Sequence, residues 1–181
     1  MKTHIDFAAK LSCFVIIGGI RGRIFETGKD FDNAVEKGNQ ALIACANYAQ
    51  GKGVTLLLEP INRYETNVIN TVDEAIEVIE QIGSKNFKLL LDTFHMNIEE
   101  KSIVESFIRA AGHLAYIHLA DSNRLAPGWG HINFKEILIA LKNFRYPGAA
   151  GFEILPKPND AQAIQHAIKY VRDLEGHCQV Q

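Results

Sequence analysis

The segment FKLLLDTFHMN, residues 87–97, joins a short apolar run to a group of polar side chains. The run Phe87–Asp92 has the length of a β-strand and is almost continuously apolar, which is typical of a strand covered on both faces. It ends in Asp92, and His95 follows just beyond it. Similar apolar runs predict four further strands: Cys13–Gly18, Val54–Glu59, Leu114–Leu119 and Ala150–Leu155.

Amphipathic segments separate these runs and predict helices. The clearest start is Thr71-Val72-Asp73-Glu74, which resembles a capping box and is followed by an apolar stripe that ends at Gly83. The other predicted helices are roughly Phe31–Gln50, Ile98–Ala111, Phe134–Phe144 and Asp160–Leu174. Within the second of these, Glu99 and Glu100 are expected near the positive N-terminal end of the helix.

The alternation of strand and helix occurs five times along the chain and predicts an α/β fold with parallel strands. Two architectures are compatible with it, an open doubly wound sheet and a (β/α)8 TIM barrel. A complete barrel typically needs ~250 residues, whereas this chain has 181. We therefore expect a single, incomplete TIM-barrel domain over residues 1–181, in which residues 1–10 lead directly into the first strand.

Composition and sequence pattern argue against several classes of protein. The chain has 19 Lys and Arg residues against 21 Asp and Glu, a formal net charge of −2, so it lacks the basic excess of a nucleic-acid binder. No apolar run approaches the ~20 residues that cross a membrane, and the first residues are too polar for a signal peptide. Cys13, Cys45 and Cys178 have no CxxC spacing, so we expect free thiols in a cytoplasmic protein.

A potential metal ligand stands at the end of four apolar runs: Glu59, Asp92, His118 and Glu153. Taken singly, an acidic residue in such a place is usually a helix cap or a turn residue, and a lone histidine in a strand is usually a core residue. However, the carboxyl ends of parallel strands open at one face of the fold, where ligands bind. Because three carboxylates and an imidazole that converge need a cation, we predict a divalent metal site.

Longer motifs at the same positions connect the chain to a family. They are LEPINRYET (58–66), LLLDTFHMN (89–97), IHLADSNRLAPGWGHINF (117–134) and GFEILP (151–156). With these motifs the chain resembles the xylose-isomerase-like sugar isomerase/epimerase superfamily, specifically ketose 3-epimerases of the tagatose, psicose and 5-keto-L-gluconate type. The resemblance implies an N-terminally truncated TIM barrel whose five β/α units correspond to barrel strands four to eight.

The resemblance also implies a role for each polar residue. The family's metal ligands match the four residues named above, which would hold one divalent ion, Mn, Co or Mg. Glu59 and Glu153 also match its two acid/base carboxylates. Glu65, His95 and Arg124 match residues that contact the oxygens of the sugar. Members of the family are commonly dimers or tetramers, so we expect a homo-oligomer.

The implied reaction inverts the carbon next to the ketone of a keto-sugar or a keto-sugar acid. Removal of the proton from that carbon leaves an enediolate, which a divalent metal stabilises. Because the proton must return on the opposite face, two bases are needed, and Glu59 and Glu153 belong to different strands. Arg21 and Arg23, in the glycine-rich segment after the first strand, are candidates to bind the carboxylate of a sugar acid.

Three alternative interpretations stay open on the sequence alone. Because about three of the eight β/α units have no counterpart, the chain is alternatively a catalytically inactive barrel remnant or a module that depends on assembly with another chain. An endonuclease IV-like zinc hydrolase shares the barrel and an Asp-x-x-His pair, here Asp92 and His95, but the acidic net charge disfavours it. Aldose–ketose isomerisation would move the proton between adjacent carbons instead of inverting one of them.

Overall fold

A computed structural model describes residues 1–177, so Cys178 lies outside the described residues. The helices are α1 (Lys2–Leu11), α2 (Lys29–Lys52), α3 (Val72–Ile82), α4 (Thr93–Glu99), α5 (Ile103–Ala110), α6 (Phe134–Asn143) and α7 (Asp160–His177). The strands are β1 (Val15–Ile17), β2 (Leu56–Leu58), β3 (Phe87–Asp92), β4 (Leu114–His118) and β5 (Ala149–Gly151). A single turn of 3-10 helix, Gly19–Arg21, follows β1.

The strands run parallel, and their order follows the chain. β1 pairs with β2, β2 pairs with β3, and β4 pairs with β5. Each predicted strand is present, and β3 has the predicted bounds. β1, β2 and β4 are shorter and lie within their predicted ranges, whereas β5 begins one residue earlier than predicted and ends at Gly151. The prediction of an α/β fold with parallel strands is confirmed.

The chain divides into two compact units, of which the first is Met1–Leu90 and the second begins at Leu91. In the first unit the three leucines of β2 are buried, as expected for a strand with both faces covered. Its helices add buried apolar residues: Ile5, Ala8, Ala46, Ala49, Ala75 and Ile79. The core of the second unit includes Phe107, Ala110, Ile117, Phe134, Ile137, Ala163 and Ala167.

Helix α1 occupies residues that were expected to lead directly into the first strand. Its Ile5 and Ala8 are buried, and it is fastened to α2 by polar contacts. Asp6 accepts a hydrogen bond from the hydroxyl of Tyr48 at 2.9 Å and forms an ion pair with Lys52 at 2.9 Å. These partners lie more than 40 residues along the chain, so the local sequence does not reveal them.

The single helix predicted over Ile98–Ala111 is wrong, because the structure has two helices there. Asp92 caps α4 by accepting a hydrogen bond from the backbone N–H of Phe94, so this helix begins directly after β3. Ser102 caps α5 in the same way. Glu99 and Glu100 therefore lie at the C-terminal end of α4 and not at the start of a helix.

Two further expectations are met in the described residues. Thr71 and Glu74 form the predicted capping box at the start of α3. Cys13 and Cys45 are free thiols, the first exposed and the second partly buried. Among helices in residues 1–177, none combines the length and the apolar character needed to cross a membrane.

Candidate metal and substrate site

The second unit brings three of the predicted metal ligands together. Asp92 ends β3, His118 ends β4, and Glu153 lies two residues beyond β5. One ligand atom from each of these residues lies within 4.8 Å of the others. The Nδ1 atom of His118 is 2.8 Å from Oε2 of Glu153 and 3.7 Å from Oδ2 of Asp92. Asp92 is buried and the Glu153 side chain is half exposed, so the cluster is accessible from the Glu153 side.

Arg124 bridges the two carboxylates of this cluster. One of its Nη atoms donates to Oδ2 of Asp92, and the other lies 2.7 Å from Oε2 of Glu153. The guanidinium also lies over the ring of Phe94, 4.9 Å from its centroid. Burial by itself lowers the pKa of Arg124, but Asp92 and Glu153 outweigh this effect and raise it. Arg124 is therefore a fixed positive charge beside the predicted ligands.

Glu153 is held in its ionised form. The hydrogen bond with His118 is the largest cause, and the charges of His118 and Arg124 add to it against the effect of burial, so the pKa of Glu153 falls to about 2. An ionised carboxylate is the form that binds a metal or accepts a proton. Two carboxylates and an imidazole are also a donor set that suits a divalent ion such as Mn, Co or Mg. The residues present in the second unit thus fit such an ion.

His95 follows Asp92 by three residues and lies in the first turn of α4, where its side chain is buried. Its ring meets the ring of Phe94 edge to face, with centroids 5.4 Å apart. The start of α4 is tied to the segment after β4 by Thr93, whose Oγ1 donates to the carbonyl of Ala120 at 2.6 Å and accepts from its N–H at 2.9 Å. Thr93 and Phe94 were not among the predicted site residues, although both lie inside the DTFH motif.

Arg124 is carried by a loop that Asp121 organises. The Asp121 carboxylate is fully buried and accepts hydrogen bonds from the backbone N–H groups of Ser122, Gly128 and Ile132 at 2.8–3.1 Å. Burial by itself raises the pKa of Asp121, but these donors together lower it. The N–H of Arg124 donates to the Asp121 carbonyl at 2.8 Å, in a turn that gives Arg124 a φ of 63°.

The far end of the same loop is fastened to α7. The ring of Trp129 stacks on His166 with centroids 4.4 Å apart, and His166 in turn stacks on Tyr170 at 6.0 Å. Gly128, at a φ of 92°, lies so close to Tyr170 that an added Cβ would be 2.8 Å from the ring. Trp129 is therefore a packing residue of this loop.

Glu59 and Glu65 lie in the first unit. Glu59 directly follows β2 and is only 6% exposed. Its carbonyl accepts a hydrogen bond from Arg21 at 2.7 Å, and its Oε2 lies against Gly18, where a Cβ would come closer than 3.0 Å. Glu65 accepts a hydrogen bond from the side-chain amide of Asn62 at 2.8 Å. The Glu65 carboxylate is thus bound within its own unit, and Arg21 fixes the segment that carries Glu59 through the backbone.

Arg21 has a different role from the one expected. Its two Nη atoms donate to the backbone carbonyls of Val68 at 2.5 Å and Glu59 at 2.7 Å. Burial lowers the pKa of Arg21 to about 10, although the charge of Glu59 opposes this change. Arg21 therefore fixes the segment that carries Glu59, and it is not placed to bind the carboxylate of a substrate. Arg23, which is exposed, donates to the carbonyl of Tyr64 at 3.0 Å.

Comparison with known proteins identifies the family. The family model described as xylose isomerase-like TIM barrel matches residues 1–174. The D-psicose 3-epimerase of Agrobacterium fabrum is 36% identical over 153 residues, which cover 81% of this chain and 52% of that protein. The D-psicose 3-epimerase of Enterocloster bolteae is 42% identical over 121 residues, which cover 67% of this chain and 40% of that protein.

The solved structures agree with the sequence comparisons. A structure of L-ribulose 3-epimerase superposes with a TM-score of 0.86 at 29% identity, over 98% of this chain and 66% of that one. The chain spans about half or less of the length of these two curated relatives, so the expected partial TIM barrel is confirmed. Because the family model extends over almost all of the chain, the protein belongs to the xylose isomerase-like TIM barrel family.

Proposed function

We propose that the protein is a divalent-metal-dependent epimerase of a keto-sugar or a keto-sugar acid, inverting the carbon next to the ketone. The observation that carries this proposal is the cluster of Asp92, His118 and Glu153, bridged by Arg124 in a fold whose relatives are named ketose epimerases. The chain resembles D-psicose and L-ribulose 3-epimerases about equally, so we propose a ketose as the substrate class and leave its identity to experiment.

The proposed metal ligands are Asp92, His118, Glu153 and Glu59. Support for Glu59 comes from the pairing of β2 and β3: Leu58, the residue before Glu59, is the partner of Leu89, and β3 ends in Asp92. The complete set of three carboxylates and one imidazole would suit Mn, Co or Mg. When bound, the ion would supply Lewis-acid stabilisation of the negative charge that develops on the substrate oxygens.

Proton transfer is assigned to Glu59 and Glu153. The Glu153 side chain is half exposed, so one of its oxygens is accessible to a bound sugar and would take the proton. Glu59 would return a proton to the other face of the same carbon, as inversion requires. Arg124, His95 and Glu65 would bind the carbonyl and hydroxyl oxygens and so orient the sugar between the two carboxylates.

The experiment is an exchange assay in D₂O on the 181-residue protein loaded with Mn²⁺. D-psicose, L-ribulose and a keto-sugar acid serve as substrates, and NMR follows deuterium at carbon three together with its configuration. Deuterium incorporation with inversion supports the proposal, whereas proton movement between carbons one and two indicates an isomerase. Glu153→Gln, which keeps the size of the side chain, is expected to abolish exchange.

A second candidate is a barrel module that is inactive alone and active only in an assembly. The aligned regions cover 52% and 40% of the two D-psicose 3-epimerases compared above. A folded, metal-binding protein without turnover on these substrates would support it. The further alternative, an endonuclease IV-like zinc hydrolase, is tested by measuring the number of metal ions per chain. One ion fits the epimerase, and three zinc ions fit the hydrolase.

We also propose that the protein is a homo-oligomer of the cytoplasm. The free thiols of Cys13 and Cys45 suit a reducing compartment. Light scattering coupled to size exclusion measures the oligomeric state, and a monomer under assay conditions would contradict that part of the proposal.

A further inference from the structure

We propose that Phe94 is a positioning residue that orients both Arg124 and His95 toward the substrate. The inference rests on the proposed function, because it assigns Arg124 and His95 to substrate binding. It adds an aromatic residue that is neither a proposed metal ligand nor a proposed proton-transfer group. The geometry that carries it is the placement of one ring against two side chains, both within the second unit.

Arg124 is constrained in two directions by different groups. Asp92 and Glu153 hold its Nη atoms and so fix the guanidinium along its own plane. These two ion pairs constrain the guanidinium plane less against rotation about the line that joins its two Nη atoms. The guanidinium carbon lies over the face of the Phe94 ring, 4.9 Å from its centroid, so the ring is placed to limit this rotation.

The same ring meets His95 at 5.4 Å with an interplanar angle of 65°. This edge-to-face contact restrains the imidazole. His95 and Arg124 belong to different segments, α4 and the loop after β4. A single aromatic side chain thus sets the relative position of two groups that would share one sugar.

A substitution of the Phe94 side chain leaves the capping of α4 intact. The bond to the Asp92 carboxylate, at 2.8 Å, comes from the backbone N–H of Phe94 and is kept by any residue other than proline. Phe94 is also only partly buried. The effect of the ring is therefore separable from the effect of the helix cap and from a loss of fold.

The test compares Phe94→Leu with Phe94→Tyr. Leucine keeps an apolar side chain but removes the aromatic face, so kcat/KM is expected to fall by about 3- to 30-fold, mainly through a higher KM. Tyrosine keeps the face and is expected to restore KM. Phe144→Leu is the matched control, because Phe144 is also partly buried in the second unit but its ring contact is with Tyr146.

A second readout does not need turnover. The ring current of Phe94 shifts the Nε–H proton of Arg124 in the NMR spectrum, a signal that Arg124→Lys identifies by its loss. We expect Phe94→Leu to move this signal and Phe94→Tyr to leave it nearly in place. An unchanged signal and an unchanged KM in Phe94→Leu would overturn the inference, and so would a fall in kcat alone with KM preserved.

Failure of the two proposals is distinguishable. If the unmodified protein shows no turnover, the proposed function fails, and the NMR signal still decides whether the ring of Phe94 lies over Arg124. If the unmodified protein is active and Phe94→Leu behaves like Phe144→Leu, only the role of Phe94 is refuted.

Discussion

A single methyl group added at Gly18 tests the role of Glu59. Gly18 follows β1, and the Oε2 atom of Glu59 lies beside it, so that a Cβ there would come closer than 3.0 Å to this oxygen. Ordinary contacts of a Cβ lie at 3.4–4 Å. In Gly18→Ala the carboxylate must therefore move. The backbone carbonyl of Glu59 stays tied to Arg21 at 2.7 Å, so the side chain takes up most of the shift.

The required movement is about 1 Å, and a displacement of this size in a reacting group costs roughly 10²-fold in rate. We therefore expect kcat/KM of Gly18→Ala to fall about 100-fold in the deuterium-exchange assay. The affinity for Mn²⁺, measured by calorimetry, is expected to fall as well, because Glu59 is also a proposed ligand. Thermal unfolding of each variant, measured alongside, reports any loss of fold.

Gly19→Ala is the control, since a Cβ at Gly19 would have no heavy atom within 4 Å. It adds the same methyl group one residue away and is expected to keep activity and metal affinity. If Gly18→Ala is folded and matches Gly19→Ala in kcat/KM and in affinity for Mn²⁺, the proposed role of Glu59 is refuted. In that case the position of the Glu59 carboxylate would have no bearing on metal binding or proton transfer.

Four other predictions concern stability and metal binding. Because the folded state lowers the pKa of Asp121, its ionised carboxylate stabilises the fold at neutral pH, and this contribution is lost as the pH falls through that lowered pKa. Urea unfolding over a pH series should show Asp121→Asn about 1–3 kcal/mol less stable at pH 7, with a flatter acid dependence. Gly130→Ala places a Cβ within 2.5 Å of the Ser122 hydroxyl and at least as close to the Asp121 carboxylate. It should therefore lower the free energy of unfolding by about 1–3 kcal/mol. As its control, Gly38→Ala in α2, where a Cβ meets nothing within 4 Å, should raise that free energy by up to ~1 kcal/mol. Thr71→Ala removes one half of the capping box of α3 and should lower that free energy by about 1 kcal/mol, with no effect on metal affinity. Mn²⁺ at 100 times its Kd should stabilise the protein by about 2.7 kcal/mol in a thermal scan, reversibly with EDTA, and an equal effect in Asp92→Asn would contradict the assignment of that ligand.

Much of the architecture was predictable because its causes are local in sequence. An apolar run the length of a strand, as in Phe87–Asp92, needs cover on both faces wherever it occurs in the chain. The start of α3 depends on Thr71 and Glu74, which are three residues apart. A polar residue at the end of an apolar run is likewise visible in the local sequence. Because parallel strands end at the same face of the fold, Asp92, His118 and Glu153 were predicted to lie close together.

Contacts between distant residues were decided by the tertiary structure alone. Helix α1 is held by Tyr48 and Lys52, and the pattern of its own ten residues carries no trace of these partners. The sequence made Arg21 a candidate to bind a substrate carboxylate, but in the fold its side chain donates to the backbone carbonyls of Val68 and Glu59.

The sequence by itself determined the alternation of strands and helices, the family motifs and the set of chemically competent residues. The tertiary structure decided which of these residues contact one another: Arg124 bridges two carboxylates, Asp121 accepts hydrogen bonds from its loop, and the ring of Phe94 contacts both Arg124 and His95. The physical reason is range. Hydrophobic period and capping act over a few residues, whereas hydrogen bonds and ion pairs act over a few ångströms and therefore depend on how the whole chain is folded.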